Sequence, residues 1–261
     1  MDMGETIQPR FLAEMDVEPD YREKLNYKTR KCIRSSIHKG IELLEGSEYL
    51  HEFAQAMRYT EVRKKVALRN EDYFRHMVEI YGDKAICIIS RLDIGKQLSR
   101  LDESIRQNEE ALAANPSKKK KNELERLLEQ DKAEKEKLVA DREREGKDVV
   151  LTGGILAVYN DQLMDLLYMG NNPDYLRMYS SYQMYDACLA RTVQLGITRC
   201  SFGGIEGSLD DGLTLFKSNW LMNVEEYVGE FNLVLDPVVY WLFDTVYPMS
   251  RKLASKMHGK K

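Results

Sequence analysis

Residues 97–145 constrain the fold more than any other stretch. They contain no aromatic residue, no cysteine and no glycine, and they hold twelve basic and thirteen acidic residues between Gly95 and Gly146. Such a segment cannot bury a core of its own. Leu98, Leu101, Ile105, Asn108 and Leu112 step by three and four, which gathers them on one apolar seam. Asn115-Pro116-Ser117 breaks the helix, and Leu124, Leu127, Leu128 and Leu138 restore a weaker seam on the way back. The pattern predicts an antiparallel two-helix coiled-coil arm with its tip near Pro116 and both ends at one place. The segments on either side can then pair with each other.

Those flanks read as α/β. Tyr49, Leu50, Phe53 and Met57 fit one helical face, and Tyr73, Phe74, Met77 and Ile80 fit a second. KAICIISRLDI (84–94) reads as a strand. VVLTGGILAVYN (149–160) and QLMDLLYMG (162–170) read as two strands joined at Asn160-Asp161. A helix over 177–194, a strand at ITRCSFGG, a further strand over 224–235 and a closing helix from Asp236-Pro237 complete a mixed sheet packed by helices.

Composition excludes several classes. Of the residues, 43% are hydrophobic and 31% charged, the balance of an ordinary globular protein, and a net charge of −4 argues against a chain that coats nucleic acid. No apolar run reaches the ~18 residues that cross a bilayer, and MDMGETIQPR has neither part of a signal peptide, so the reading is cytoplasmic. The cysteines at 32, 87, 188 and 200 form no CxxC pair and suit buried thiols in a reducing compartment. HEFAQ (51–55) starts like a zincin helix but ends in Gln55, so no metal is called for, and no cofactor either.

SFGGIEGSLDDGLTLFKSNW (201–220) has the glycines of a phosphate loop without its chemistry. Gly207 and Gly212 have Walker spacing, but Leu213 stands where the lysine belongs, and Gly203-Gly204-Ile205-Glu206-Gly207 fails the dinucleotide pattern. The glycines suit a tight strand-to-helix turn, and Asp210-Asp211 suit the cap of a helix carrying Lys217.

GGIEGSLDDGLTLFKSNW followed by VEEYVGEFNLVLDPVVY resembles the C-terminal part of the Fem family (FemABX), the aminoacyl-tRNA-dependent transferases of peptidoglycan bridges. LNYKTRKCIRSSIHKGIEL (25–43), RYTEVRKKVALRNEDYF (58–74) and YMGNNPDYLRMYSSYQMYDACLARTVQLGITRCSFGG (168–204) resemble the same family in the same order. The resemblance implies an acetyltransferase-like (GNAT) domain formed by 25–96 and 146–261, with 97–145 inserted as the arm. Family members also have a full preceding GNAT domain, so residues 1–24 are expected to be the remnant of one. Where the family tends to have an aromatic-glycine pair after the lysine, this chain has Asn219-Trp220.

The implied reaction moves an aminoacyl group from the 3′ ester of a tRNA to the side-chain amine of a stem peptide on a peptidoglycan precursor, UDP-linked or lipid-linked. An amine attacking an activated ester needs no covalent enzyme intermediate, only positioning and charge stabilisation. The resemblance gives the catalytic place to Lys217 with Phe216 beside it, and the acceptor site to Arg69, Tyr73 and Tyr168. Arg69 and Tyr73, four apart, would share a helix face. Lys118, Lys119, Lys120 and Lys121 beside the arm tip offer a weak tRNA contact, opposed by the arm's balanced charge. The expected partners are aminoacyl-tRNA, the precursor, and a related transferase or a second copy of the chain. The competing reading is a non-catalytic fragment or module whose arm binds tRNA or a partner transferase. A small-molecule acetyltransferase is disfavoured, because no Q/RxxGxG/A loop is present.

Overall fold

The computed structural model describes residues 11–64, 69–205, 212–228 and 233–258. The chain begins with β1 (Phe11–Asp16), α1 (Tyr21–Lys24), α2 (Tyr27–His38) and β2 (Ile41–Glu45). Next come α3 (Leu50–Lys64), α4 (Glu71–Tyr81), β3 (Ala85–Asp93), α5 (Ile94–Ala113) and α6 (Lys118–Glu145). Then follow β4 (Val149–Tyr159), β5 (Met164–Asn171), α7 (Ser180–Gln194), β6 (Arg199–Ile205), α8 (Gly212–Lys217), β7 (Asn223–Glu226) and α9 (Pro237–His258). One seven-stranded sheet runs in the order β2-β3-β4-β5-β6-β1-β7. All neighbours are antiparallel except β5 and β6.

Period-2 alternation sends side chains to two cores. Ile86, Ile88, Ile155 and Ala157 face a cluster with Tyr185, Leu189 and Trp220, while Cys87, Ile89, Leu156 and Val158 face one with Phe53, Met57 and Phe74 from α3 and α4. Helix α3 lies close on the strands because glycines admit it. A Cβ on Gly170 would stand 2.3 Å from the Ala56 carbonyl oxygen, and one on Gly154 would stand 3.0 Å from the Phe53 ring.

The β4–β5 turn forms as expected, with the Asn160 side chain accepting from the backbone N–H groups of Gln162 (2.8 Å) and Leu163 (2.9 Å). Asp236 likewise accepts from Val238 N (2.8 Å) and Val239 N (3.1 Å) at the start of α9. Helices α5 and α6 pair antiparallel, tied by Ser104 to Asp131 (2.7 Å), Lys132 to Glu109 (2.7 Å) and Lys135 to Asp102 (2.5 Å). The base of this pair is not a free arm: Leu98, Leu101 and Leu138 are buried with Ile41, Leu92, Val150, Tyr175 and Met178.

Three elements differ from the expectation. Residues 11–16, assigned above to the remnant of a preceding domain, form a strand inside this sheet, paired with both β6 and β7. The strand expected over 224–235 is ordered as one only to Glu226, and 229–232 lie outside the described residues. The helix expected over 177–194 begins at Ser180, because Tyr179 takes a left-handed conformation (φ 59°) after a 3-10 turn at Pro173–Met178. Among the described residues, no helix is long and apolar enough to cross a membrane.

Candidate active site

The parallel ladder between β5 and β6 is short, pairing Met164 with Cys200 and Asp165 with Ser201. Tyr168 and Gly204 each lie three residues beyond it, at the carboxyl ends of neighbouring strands. Ligands of open α/β sheets bind at such ends. Asp165 marks the place electrostatically: burial raises its carboxyl above the usual range, against a hydrogen bond with Ser201, and the nearby Glu14 charge adds to the rise.

Tyr168 lies on the α3/α4 face. Its ring meets Phe74 edge-on (5.2 Å between centroids) and Tyr73 likewise (6.2 Å), and its hydroxyl donates to the Tyr73 hydroxyl at 3.3 Å. The Arg69 guanidinium covers the Tyr73 ring at 4.9 Å. Arg69 reaches that ring by a different route from the helical spacing expected above. It precedes α4, whose start is fixed by Asn70 accepting from Tyr73 N (3.0 Å), so the cap rather than an i,i+4 pair sets the two residues together. Burial, then the bond to Tyr73, pushes the Tyr168 phenol up to about 12, and Arg69 opposes the rise. The cluster therefore presents the Arg69 guanidinium beside a Tyr168 phenol that burial keeps protonated.

Lys217 comes from the other side of the sheet. It is 3% exposed, and its ammonium donates to the carbonyls of Gly203 (3.1 Å) and Gly204 (2.7 Å). Gly203 takes φ +75°, a backbone conformation that turns the strand end and favours glycine. Phe216 packs edge-on to Tyr182 and Tyr185, both at 5.0 Å, within the core that also encloses Trp220. Asn219-Trp220 has a structural role that sequence reasoning missed. Trp220 is fully buried, and the Asn219 carbonyl accepts from Asn26 Nδ2 (3.1 Å) and Thr29 Oγ1 (2.8 Å) at the start of α2. A hydrophobic residue following a short helix was the available signal.

The structure thus brings Arg69, Tyr73 and Tyr168 into contact and sets the Lys217 ammonium on the adjoining strand end from the opposite face, whereas Phe216 is packed into the aromatic core behind it. Lys118 to Lys121 are exposed in the first turn of α6, at the far end of the hairpin from its docked base. Glu206, Gly207, Asp210 and Asp211 lie outside the described residues, and so does the cap expected of the two aspartates. His51 of HEFAQ is held between Glu71 (2.8 Å) and Gln55 (2.8 Å).

The FemAB family model matches residues 1–248. Aminoacyltransferase FemB of Staphylococcus epidermidis is 27% identical over 94% of this chain and 63% of its own length. Lipid II:glycine glycyltransferase of Staphylococcus aureus is 23% identical over 97% of this chain and 66% of its own. The crystal structure of FemX superposes with a TM-score of 0.65 at 20% identity, covering 92% of this chain and 65% of that one. The chain therefore spans 63% of the length of the first of these curated relatives.

Proposed function

The chain belongs to the FemAB family, and we propose on that premise that it is the part of an aminoacyltransferase that holds a peptidoglycan precursor and presents its stem-peptide amine to an aminoacyl-tRNA ester. The observation that carries this reading is the contact of Arg69, Tyr73 and Tyr168 at the end of β5, next to the strand end where the Lys217 ammonium is fixed. Arginine offers a planar fork for a phosphate or carboxylate of the precursor. Tyr168, its phenol held neutral by burial, gives its one proton to the Tyr73 hydroxyl and so fixes that hydroxyl beside the same ligand.

In the reaction the amine nitrogen attacks the ester carbonyl carbon and the carbonyl oxygen takes up negative charge. The bond to the tRNA 3′ oxygen then breaks as the amine proton passes, in net balance, to that oxygen. Lys217 contributes charge rather than a proton. Anchored by two carbonyls, it sets a positive pole beside the developing oxyanion without reorganising during the reaction. Lys118 to Lys121 serve donor tRNA phosphates in this reading, and the acceptor is met in the cytoplasm or at the inner face of the membrane.

A transfer assay tests this directly. The full-length gene product is incubated with charged tRNAs and with UDP-linked and lipid-linked precursors, and the expected result is an aminoacylated stem peptide. Binding of tRNA or of a related transferase without transfer to either precursor would replace the enzyme with the binding module.

A further inference from the structure

Residues 24–41 hold six cations and no acid, in a chain whose net charge is −4. Most of that charge lies on α2. The helix buries Thr29, Cys32, Ile33 and Ser36, with Ile33 in the core that encloses Trp220 and the Ser36 hydroxyl donating to Gln183 of α7 at 2.7 Å. Lys28, Arg30, Lys31 and Arg34 are left exposed. Tyr27, Lys31 and Arg34 step by four and three with Arg30 between them, which makes one outward stripe with Tyr27, 67% exposed, at its start. Among the described residues none of these four cations has an ion pair, although Arg22 and Lys24 just before them are held by Asp186 and Glu18. Helix energetics oppose the arrangement. No acid stands in the first turn of α2, Lys28 is set against the positive end of the helix dipole, and Arg30 and Arg34 repel each other at i,i+4. Helix α4, by contrast, starts with Glu71 and Asp72, as the dipole favours. Cations kept on α2 at a cost to the helix point to an anion from outside the chain.

The position of α2 identifies that anion. Asn26 and Thr29, at the start of the helix, hold the Asn219 carbonyl two residues beyond Lys217, so the stripe begins beside the candidate active site. A cationic stripe with an exposed aromatic ring at one end suits a nucleic acid that enters the site by a single-stranded end, its phosphates along the cations and a base on the ring. A bilayer suits it less. Cys32 and Ile33 face the core, which leaves α2 no apolar face to insert. We infer that the exposed face of α2 docks the acceptor end of an RNA, with Arg30, Lys31 and Arg34 on its phosphates and Tyr27 against a base of its unpaired 3′ end. The inference rests on the transferase reading for the identity of that RNA as the aminoacyl-tRNA donor. It adds to the lysines of the hairpin tip a contact next to Lys217.

Binding and transfer are measured separately on the full-length gene product. Arg30→Gln with Lys31→Gln and Arg34→Gln weakens binding of uncharged tRNA by about 10-fold or more, and it flattens the slope of log affinity against log salt by about 2, as phosphate contacts are lost. Circular dichroism is unchanged and the thermal midpoint does not fall, because the three side chains are exposed and their mutual repulsion is relieved. Tyr27→Ala weakens tRNA binding by about 5-fold or more without affecting a blunt RNA duplex, and Tyr27→Phe restores it. In the transfer assay the triple variant raises the KM for aminoacyl-tRNA and leaves that for the precursor unchanged. Wild-type tRNA affinity and salt slope in the triple variant overturn the inference, even where transfer proceeds and upholds the transferase reading. Loss of tRNA binding in that variant, with no transfer by the wild type, upholds the RNA surface and removes the transferase. Phosphatidylglycerol vesicles bound by the wild type and released by the triple variant, with no binding of tRNA, also overturn it and give the face to a membrane.

Discussion

The hydroxyls of Tyr73 and Tyr168 lie 3.3 Å apart although 95 positions separate them in the chain. Helix α4 and strand β5 meet there because Phe74, fully buried, packs between the Phe53 and Tyr168 rings. Its pKa makes the pair testable by pH. The Tyr168 phenol is raised to about 12 in the fold, against about 10 in an unfolded chain. The folded state therefore keeps its proton longer, so this group's contribution is intact below pH ~10 and is lost as pH rises towards 12. Tyr168→Phe removes one late-titrating phenol from an ultraviolet titration and flattens that part of the stability curve. Loss of a phenol that titrates near the ordinary value of about 10, rather than a late one, would mean that Tyr168 ionises normally.

Backbone contact between sheet and helix gives a stability prediction. Gly170→Ala sets a methyl 2.3 Å from the Ala56 oxygen and 2.7 Å from the Met57 nitrogen, both backbone atoms that cannot rotate away. Displacing α3 costs about 3 kcal/mol, read as a lower thermal midpoint in calorimetry. Gly212→Ala, with nothing within 4 Å of its new methyl, leaves the midpoint within error. Equal midpoints for the two variants would mean that α3 does not sit flush on β5.

Asp186 ties α1 to α7. Arg22 grips its carboxylate with Nε (2.8 Å) and Nη2 (2.9 Å), and the Tyr21 hydroxyl donates to it at 2.8 Å. Asp186→Ala leaves the buried Tyr21 hydroxyl with only the Asp186 carbonyl and releases the guanidinium, at a cost of about 3 kcal/mol. Chemical denaturation of Asp186→Ala and Tyr21→Phe separates the parts, with the tyrosine variant losing about 1 kcal/mol. A loss under about 0.5 kcal/mol in Asp186→Ala, the noise of such a measurement, would remove the network from the account.

Thiol chemistry reports on the core. All four cysteines are buried, and burial pushes Cys87 and Cys188 up to about 12 and Cys200 well above the thiol range. The native chain therefore resists a thiol reagent at pH 8, and all four sites react once guanidinium unfolds it. Rapid native labelling of Cys87, Cys188 or Cys200 would contradict the packing of the two cores.

The α5–α6 hairpin was legible because its leucine seam and the absence of aromatic residues are local signals. The docking of its base through Leu98, Leu101 and Leu138 was not, since it depends on Tyr175 and Met178 far along the chain. Strand β1 was hidden by Glu14, a buried acid paired with Arg199 and accepting from the Tyr227 hydroxyl at 2.8 Å. An acid inside a six-residue strand breaks the alternation that reveals strands. That Arg69, Tyr73 and Tyr168 would meet was expected through family resemblance, whereas the route by which Arg69 meets Tyr73 needed the Asn70 cap. The burial of Lys217 is tertiary, fixed by carbonyls of a strand end that no spacing in α8 announces.

The central claim is a division of labour, with Arg69 holding the acceptor and Lys217 serving the transition state. Steady-state kinetics of the full-length enzyme with aminoacyl-tRNA and precursor measure both. The account predicts that Lys217→Ala lowers kcat by ~100-fold or more with little change in precursor KM, and that Lys217→Arg recovers part of it. Arg69→Ala raises precursor KM with kcat nearly kept. Wild-type kcat in Lys217→Ala, or the same split of kcat and KM in both alanine variants, would contradict it.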